Sequence, residues 1–223
     1  LSTITGTAGI GKTALAVHWA HQVRDRFPDG QLYANLHGYE SGAPLRPIDV
    51  LSSFLPALGV APDAVPPTLE AASALYRTLL ADRRMLVVLD NARHPDQVRP
   101  LLPGGAGCFV LITSRDSMGS LVARDGATRL ALDVLTAGEA RDLLEALLGR
   151  DRISAEPAAA ATLAEVCGHL PLALRIAAAN LDRSGSIGAY VTQLTAGDPL
   201  SALEPDGDPE AGVRAAFEHS YAL

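Results

Sequence analysis

The sequence predicts an α/β fold: a parallel sheet sandwiched by helices, followed by a small all-helical domain. Three observations carry this. A short β-type run at 1–5 enters a glycine-rich turn, Gly6-Thr7-Ala8-Gly9-Ile10-Gly11-Lys12-Thr13, which opens directly into a helical pattern at Ala14. Two later runs, 85–90 and 109–113, are continuously apolar, the signature of central parallel strands buried on both faces. From Thr136 onward strand patterns vanish and helical ones follow each other.

Strand, glycine turn, lysine, hydroxyl and helix form the G-x-x-x-x-G-K-[ST] arrangement of a phosphate-binding loop, and so predict a P-loop NTPase sheet. Gly6, Gly9 and Gly11 let backbone N–H groups curl around phosphate oxygens in conformations a side chain would obstruct. The new helix turns its unpaired first-turn N–H groups toward the same anion. Residues Gly6 through Ala14 are therefore the candidate nucleotide-binding stretch, Thr7, Ala8 and Ile10 included. Lys12 is expected to reach the β- and γ-phosphates, and the Thr13 hydroxyl to ligate Mg²⁺. The bland alternative is a chance glycine turn, which the flanking strand and helix argue against.

The remaining elements follow in order. Residues 14–27 read as a helix, apolar on most sides in its first two turns and so packed under the sheet, ended by Pro28-Asp29-Gly30. A strand is expected at 31–36, then a loop in which His37 reads as a surface residue. Helices are expected at 48–58 and 68–81. The run 85–90 ends in Asp90, an acid where open α/β sheets place their ligands, and this is the Walker B pattern of a metal-holding carboxylate. An ordinary strand-ending Asp is the alternative. The strand at 109–113 should lie beside the first, which would aim Arg115 at the terminal phosphate; a structural salt bridge is the alternative. A short last strand is expected at 129–132.

Thr136-Ala137-Gly138-Glu139 is a capping box opening a helix to about residue 148. Further helices read at 156–167, 170–181 and 187–194. The expected domains are 1–135, nucleotide-binding; 136–197, helical; and 198–223, a linker and the start of a truncated domain. The chain starts without a methionine and stops in a helical pattern, and it reads as a piece of a longer protein.

A formal net charge of −7 makes this stretch a poor grip for nucleic acid, so any DNA contact is expected elsewhere in the polypeptide. No apolar run approaches the ~20 residues that cross a bilayer. Cys108 and Cys167 sit in apolar surroundings without C-x-x-C spacing and read as buried thiols, which suits a reducing cytoplasm.

Four further features narrow the field. Thr113-Ser114-Arg115 resembles the sensor-arginine segment of the NB-ARC group of STAND NTPases. Gly168-His169-Leu170-Pro171-Leu172-Ala173 resembles that group's G-L-P-L-A motif with His169 inserted. Residues 132–144 resemble the entry to its first helical domain, and 217–223 the opening helix of its winged-helix domain. Within the group, Leu89-Asp90-Asn91-Ala92 resembles large actinobacterial SARP-type regulators of antibiotic production. The resemblance implies ATP or ADP with Mg²⁺ as ligands, Pro171 near the adenine, self-association in the ATP-bound state, and DNA and the transcription machinery contacted through other domains. It departs at Asn91, where many members carry a second acid. An amide can orient the attacking water but cannot accept its proton. A nucleotide-controlled switch, a scaffold without turnover and a small-molecule kinase with a lid drawn from Arg141, Arg150, Arg152, Arg175 and Arg183 are the competing readings.

Overall fold

A computed structural model describes residues 1–40 and 42–196. Five parallel strands form one sheet: β1 (Ser2–Thr5), β2 (Gln31–Asn35), β3 (Leu86–Ala92), β4 (Phe109–Ser114) and β5 (Thr128–Ala131), in the order β2-β3-β4-β1-β5. As expected, β4 lies directly beside β1, with Ser2 opposite Leu111 and Thr5 opposite Ser114. Around the sheet run α1 (Lys12–Val23), α2 (Pro47–Ala57), α3 (Leu69–Leu80), the short α4 (Pro95–Val98) and α5 (Gly119–Asp125). The helical part contains α6 (Ala137–Leu148), α7 (Arg150–Ala155), α8 (Pro157–Val166), α9 (Pro171–Ser184) and α10 (Ile187–Ala196).

The alternation along β3 explains why its sequence is apolar throughout. Leu86 and Val88 join Ile4, Leu111 and the α1 residues Ala16 and Ala20 in one core layer. Val87 and Leu89 face the other way, into the layer built from Leu51, Leu55, Tyr76 and Leu80 of α2 and α3. Burying both faces supplies the drive for a parallel sheet, at roughly 25 cal/mol per Å² of apolar surface removed from water. The expectation for the helix after the loop needs correction. Within α1 only Ala16 and Ala20 are buried, whereas Leu15 and Val17 are each 36% exposed. The i, i+4 pair of small residues sets the sheet-facing stripe, and positions 15 and 17 fall to either side of it.

Strand β3 also runs two residues past its expected end, because the pairing with β4 shifts register between Leu89 and Ala92. The helices α4, α5 and α7 went unpredicted; at four, seven and six residues they are too short to show a periodic stripe.

The chain divides into two compact units. The first holds residues 1–6 and 12–132; the second holds Thr7–Gly11, the middle of the glycine loop, and, among the described residues, 133–196. The second unit has its own core of Leu144, Ile153, Leu163, Leu174, Leu181 and Leu194. Its entry is the expected capping box: the Thr136 hydroxyl accepts from the Glu139 N–H at 3.3 Å, and the Thr136 N–H donates to Glu139 Oε2 at 2.8 Å. The inserted His169 has a structural explanation. Gly168 (φ 58°) and His169 (φ 54°) are both left-handed, so together they reverse the chain between α8 and α9. Pro171 is the first residue of α9, where its missing N–H costs nothing. The expected linker at 198–209 and the helix at 209–223 lie outside the described residues. Among the described residues no helix is long and apolar enough to cross a membrane.

Candidate functional site

In the first unit, Gly6 leaves β1 at φ 149° and the chain resumes at Lys12, the first residue of α1. The Lys12 ammonium folds back to donate to the Gly6 carbonyl at 2.9 Å. The Thr13 hydroxyl faces the Asp90 carboxylate across 77 residues of sequence, 2.9 Å from Oδ1 and 3.1 Å from Oδ2. Asp90 is only 4% exposed, and the structure answers that burial with hydroxyls. Tyr33 donates to Oδ2 at 3.1 Å, and Thr113 donates to Oδ1. Thr113 Oγ1 also accepts the Asn91 N–H at 2.9 Å, which pins the register shift in β3. A buried carboxylate needs such partners, since an unsatisfied one costs several kcal/mol.

The hard-oxygen pair of Thr13 and Asp90 is the kind of donor set that suits Mg²⁺, which takes one or two protein oxygens and completes its shell with water and phosphate. Thr13 and Asp90 are thus the residues that would hold the ion.

Two cations share this place. Burial, then the charge of Arg115, push the Lys12 ammonium down to about 8, with Asp90 opposing. Burial also lowers Arg115, opposed by Tyr39 and Glu40. The Arg115 guanidinium stacks over the Tyr39 ring at 4.8 Å. A desolvated lysine and arginine that repel one another form a site whose charge a polyanion would relieve.

Asn91, beside Asp90, is left-handed (φ 57°) and its amide donates to Glu40 Oε1 at 3.1 Å. The structure thus brings Gly6, Lys12, Thr13, Asp90, Asn91 and Arg115 into one unit. Ala14 follows on α1, exposed. Tyr33 and Glu40 escaped the sequence reading, and Thr113 entered it only as part of the sensor-arginine segment, because no local motif marks a residue that reaches Asp90 or Asn91 only through strand pairing.

In the second unit, Ala8 and Ile10 are buried and Gly9 is left-handed at φ 73°. The Leu172 N–H, a first-turn donor of α9, is satisfied by the Gly9 carbonyl at 3.1 Å. A side chain at Gly9 would meet the Leu172 Cβ at 3.1 Å. Thr7 is exposed, and Pro171 precedes Leu172 at the helix start. The Cys167 thiol is buried, as expected, while Cys108 is half-buried and donates to the Arg83 carbonyl at 3.3 Å.

A parallel sheet with this strand order, fed by this loop, has the P-loop NTPase fold. No protein-family model matches the chain. It is 44% identical over 221 residues to the Regulatory protein AfsR of Streptomyces griseus, an alignment that covers 99% of this chain and 22% of that protein. It is 45% identical over 222 residues to the Regulatory protein AfsR of Streptomyces coelicolor, again over 99% of this chain and 22% of the relative. The chain therefore spans about a fifth of the length of these curated relatives. In fold it matches a Signal Transduction ATPase with Numerous Domains (STAND) protein with a tetratricopeptide repeat sensor from Pyrococcus horikoshii. That match has a TM-score of 0.52 and 23% identity, covering 78% of this chain and 27% of that one. The chain resembles the STAND-type P-loop NTPase core of large actinobacterial regulators, as its motifs imply.

Proposed function

We propose that this chain is the nucleotide-binding switch of a longer transcriptional regulator, binding ATP or ADP with Mg²⁺ and hydrolysing ATP slowly. One observation carries the reading: Lys12 and Arg115, both desolvated, stand with the Thr13–Asp90 pair at the end of a P-loop sheet. In this reading Gly6 through Ala14 bind the phosphates, Lys12 neutralises them, Thr13 and Asp90 hold the metal, and Arg115 senses the terminal phosphate. Pro171 contributes to the base side, as the family resemblance implies. The γ-phosphate gives ATP contacts that ADP lacks, and only such differential contact shifts an equilibrium between two states. ATP then favours an open, self-associating form and ADP a closed one. DNA and the transcription machinery are engaged by other domains, and the site of action is the cytoplasm.

The test compares the chain with ADP and with a non-hydrolysable ATP analogue by small-angle scattering and sedimentation. Different profiles are expected, and identical ones overturn the switch. A second reading, a nucleotide-binding scaffold without turnover, is favoured by Asn91, whose amide accepts no proton. Single-turnover hydrolysis that vanishes in Lys12→Ala separates the two.

A further inference from the structure

If Asn91 takes no proton, another group must do so for hydrolysis to occur. The structure holds a carboxylate beside it. Asn35, the last residue of β2, pairs in register with Asp90. Its side-chain carbonyl accepts the His37 N–H at 3.0 Å, while its amide donates to Glu40 Oε1 at 2.7 Å. Asn91 donates to the same oxygen at 3.1 Å, and His37 Nδ1 bonds Oε2. Two amides and an imidazole from two neighbouring strand ends therefore orient one carboxylate.

The loop is built to deliver it. His37 turns left-handed at φ 51°, and the Gly38 N–H donates to the Asn91 carbonyl at 2.8 Å. A side chain at position 38 would come within 2.4 Å of that carbonyl and 2.7 Å of the Arg93 nitrogen, so only glycine permits the approach. The Glu40 side chain nevertheless stays 42% exposed, open to water on its free side. Its charge is felt at both Arg115 and Tyr33, which places it in the same electrostatic neighbourhood as the candidate phosphate site.

We infer that Glu40 is the catalytic carboxylate of this NTPase, orienting the attacking water and taking its proton in place of a second Walker B acid. The inference rests on reading the site as one for nucleoside triphosphate. In the step assigned to it, the water oxygen forms a bond to the γ-phosphorus as the bond from that phosphorus to the β,γ-bridging oxygen breaks. The bridging electron pair leaves with the diphosphate, and the water proton passes to Glu40 and then to solvent. Asn35, Asn91 and His37 are positioning residues. Partial burial alone would raise the Glu40 carboxyl, but the bonds from Asn35, His37 and Asn91 outweigh it and hold the group below its ordinary value. A carboxylate held this way is a weak base, suited to slow turnover.

The test uses the full chain and three measurements: fluorescent-nucleotide affinity, single-turnover hydrolysis of ATP, and stable trapping of ADP with aluminium fluoride. Glu40→Gln keeps the shape of the group and is expected to leave affinity within about threefold. Hydrolysis should slow by about 100-fold or more, the scale of a lost general base, and trapping should be lost. Glu40→Asp is expected to fall between, which separates a chemical role from a structural one. Unchanged hydrolysis in Glu40→Gln overturns the inference, as does a wild-type chain that binds nucleotide without turnover. A wild-type chain that binds no nucleotide overturns the underlying reading of the site instead.

Discussion

The two units solve the problem of burial differently. In the first, Thr3, Thr5, Ser73, Asp90, Thr113 and Ser114 are buried, and His37, Asn91 and Met118 adopt left-handed backbone conformations without being glycine. In the second, the buried side chains among the described residues are alanines, leucines, isoleucines, a cysteine and a tyrosine, and one non-glycine residue, His169, is left-handed. Buried polar side chains and most of the left-handed non-glycine residues gather in the α/β unit, where Asp90 is held by hydroxyls, whereas the helical unit obeys local rules at nearly every position. That contrast teaches where to look for function. It also says how each unit should fail.

The largest expected effect is on binding. Lys12→Ala removes the partly buried cation and should weaken nucleotide affinity by at least about 100-fold in a fluorescence titration, following the 2–5 kcal/mol typical of a truncated charge partner. It should leave the melting temperature of the free chain unchanged or higher, since a desolvated charge is lost. A fall in that temperature would show that the α/β unit's unusual groups serve stability, erasing the contrast.

Next comes the helical core. Leu144 is fully buried, and Leu144→Ala should cost about 2–5 kcal/mol by chemical denaturation. Each unit carries its own reporter. Burial pushes the Cys167 thiol up to about 12, so at pH 8 its thiolate is scarce and labelling by a thiol reagent should be negligible in the native chain. Leu144→Ala should make Cys167 label readily and leave the labelling rate of Cys108 unchanged. Equal gains at both cysteines would show that the units unfold together.

A smaller effect is expected at the entry to the helical unit. Thr136→Ala deletes the cap of α6 and should cost about 1 kcal/mol, read as a lower denaturation midpoint.

The smallest is a pH effect. Glu156 accepts the first N–H groups of α10, Gly188 at 2.9 Å and Ile187 at 3.0 Å, and these bonds hold its carboxyl below the ordinary 4.5. A lowered carboxyl lends stability that is complete above the unfolded value and is lost as pH falls through the folded one. The melting temperature should therefore drop on acidification below about pH 4.5, and Glu156→Gln should make that drop shallower. An identical drop in the variant would assign the acid sensitivity to other carboxylates.

Much of the architecture was legible because it repeats. The glycine loop, the runs ending at Asp90 and Thr113, and the Thr136–Glu139 box each announce themselves within eight residues. The site was legible only where its parts sit in such motifs. Glu40 lies 51 residues from Asn91 and meets it through β2–β3 pairing, a contact no local pattern encodes. Tyr33 looked like one position of a strand, yet its hydroxyl reaches Asp90 while the side chain stays half in solvent. Leu15 and Val17 misled for the opposite reason, because composition suggested burial where the helical angle denied it.

Gly38 carries a consequence for how this chain tolerates change. It carries no side chain and offers no chemistry, yet any side chain there would collide with the Asn91 carbonyl and lift the loop from the strand. Glu40 would lose one of its two anchoring amides without itself being altered. Under the proposed switch, variation at this one silent position would turn a timed signal into a permanent one, with nucleotide still held and the clock stopped.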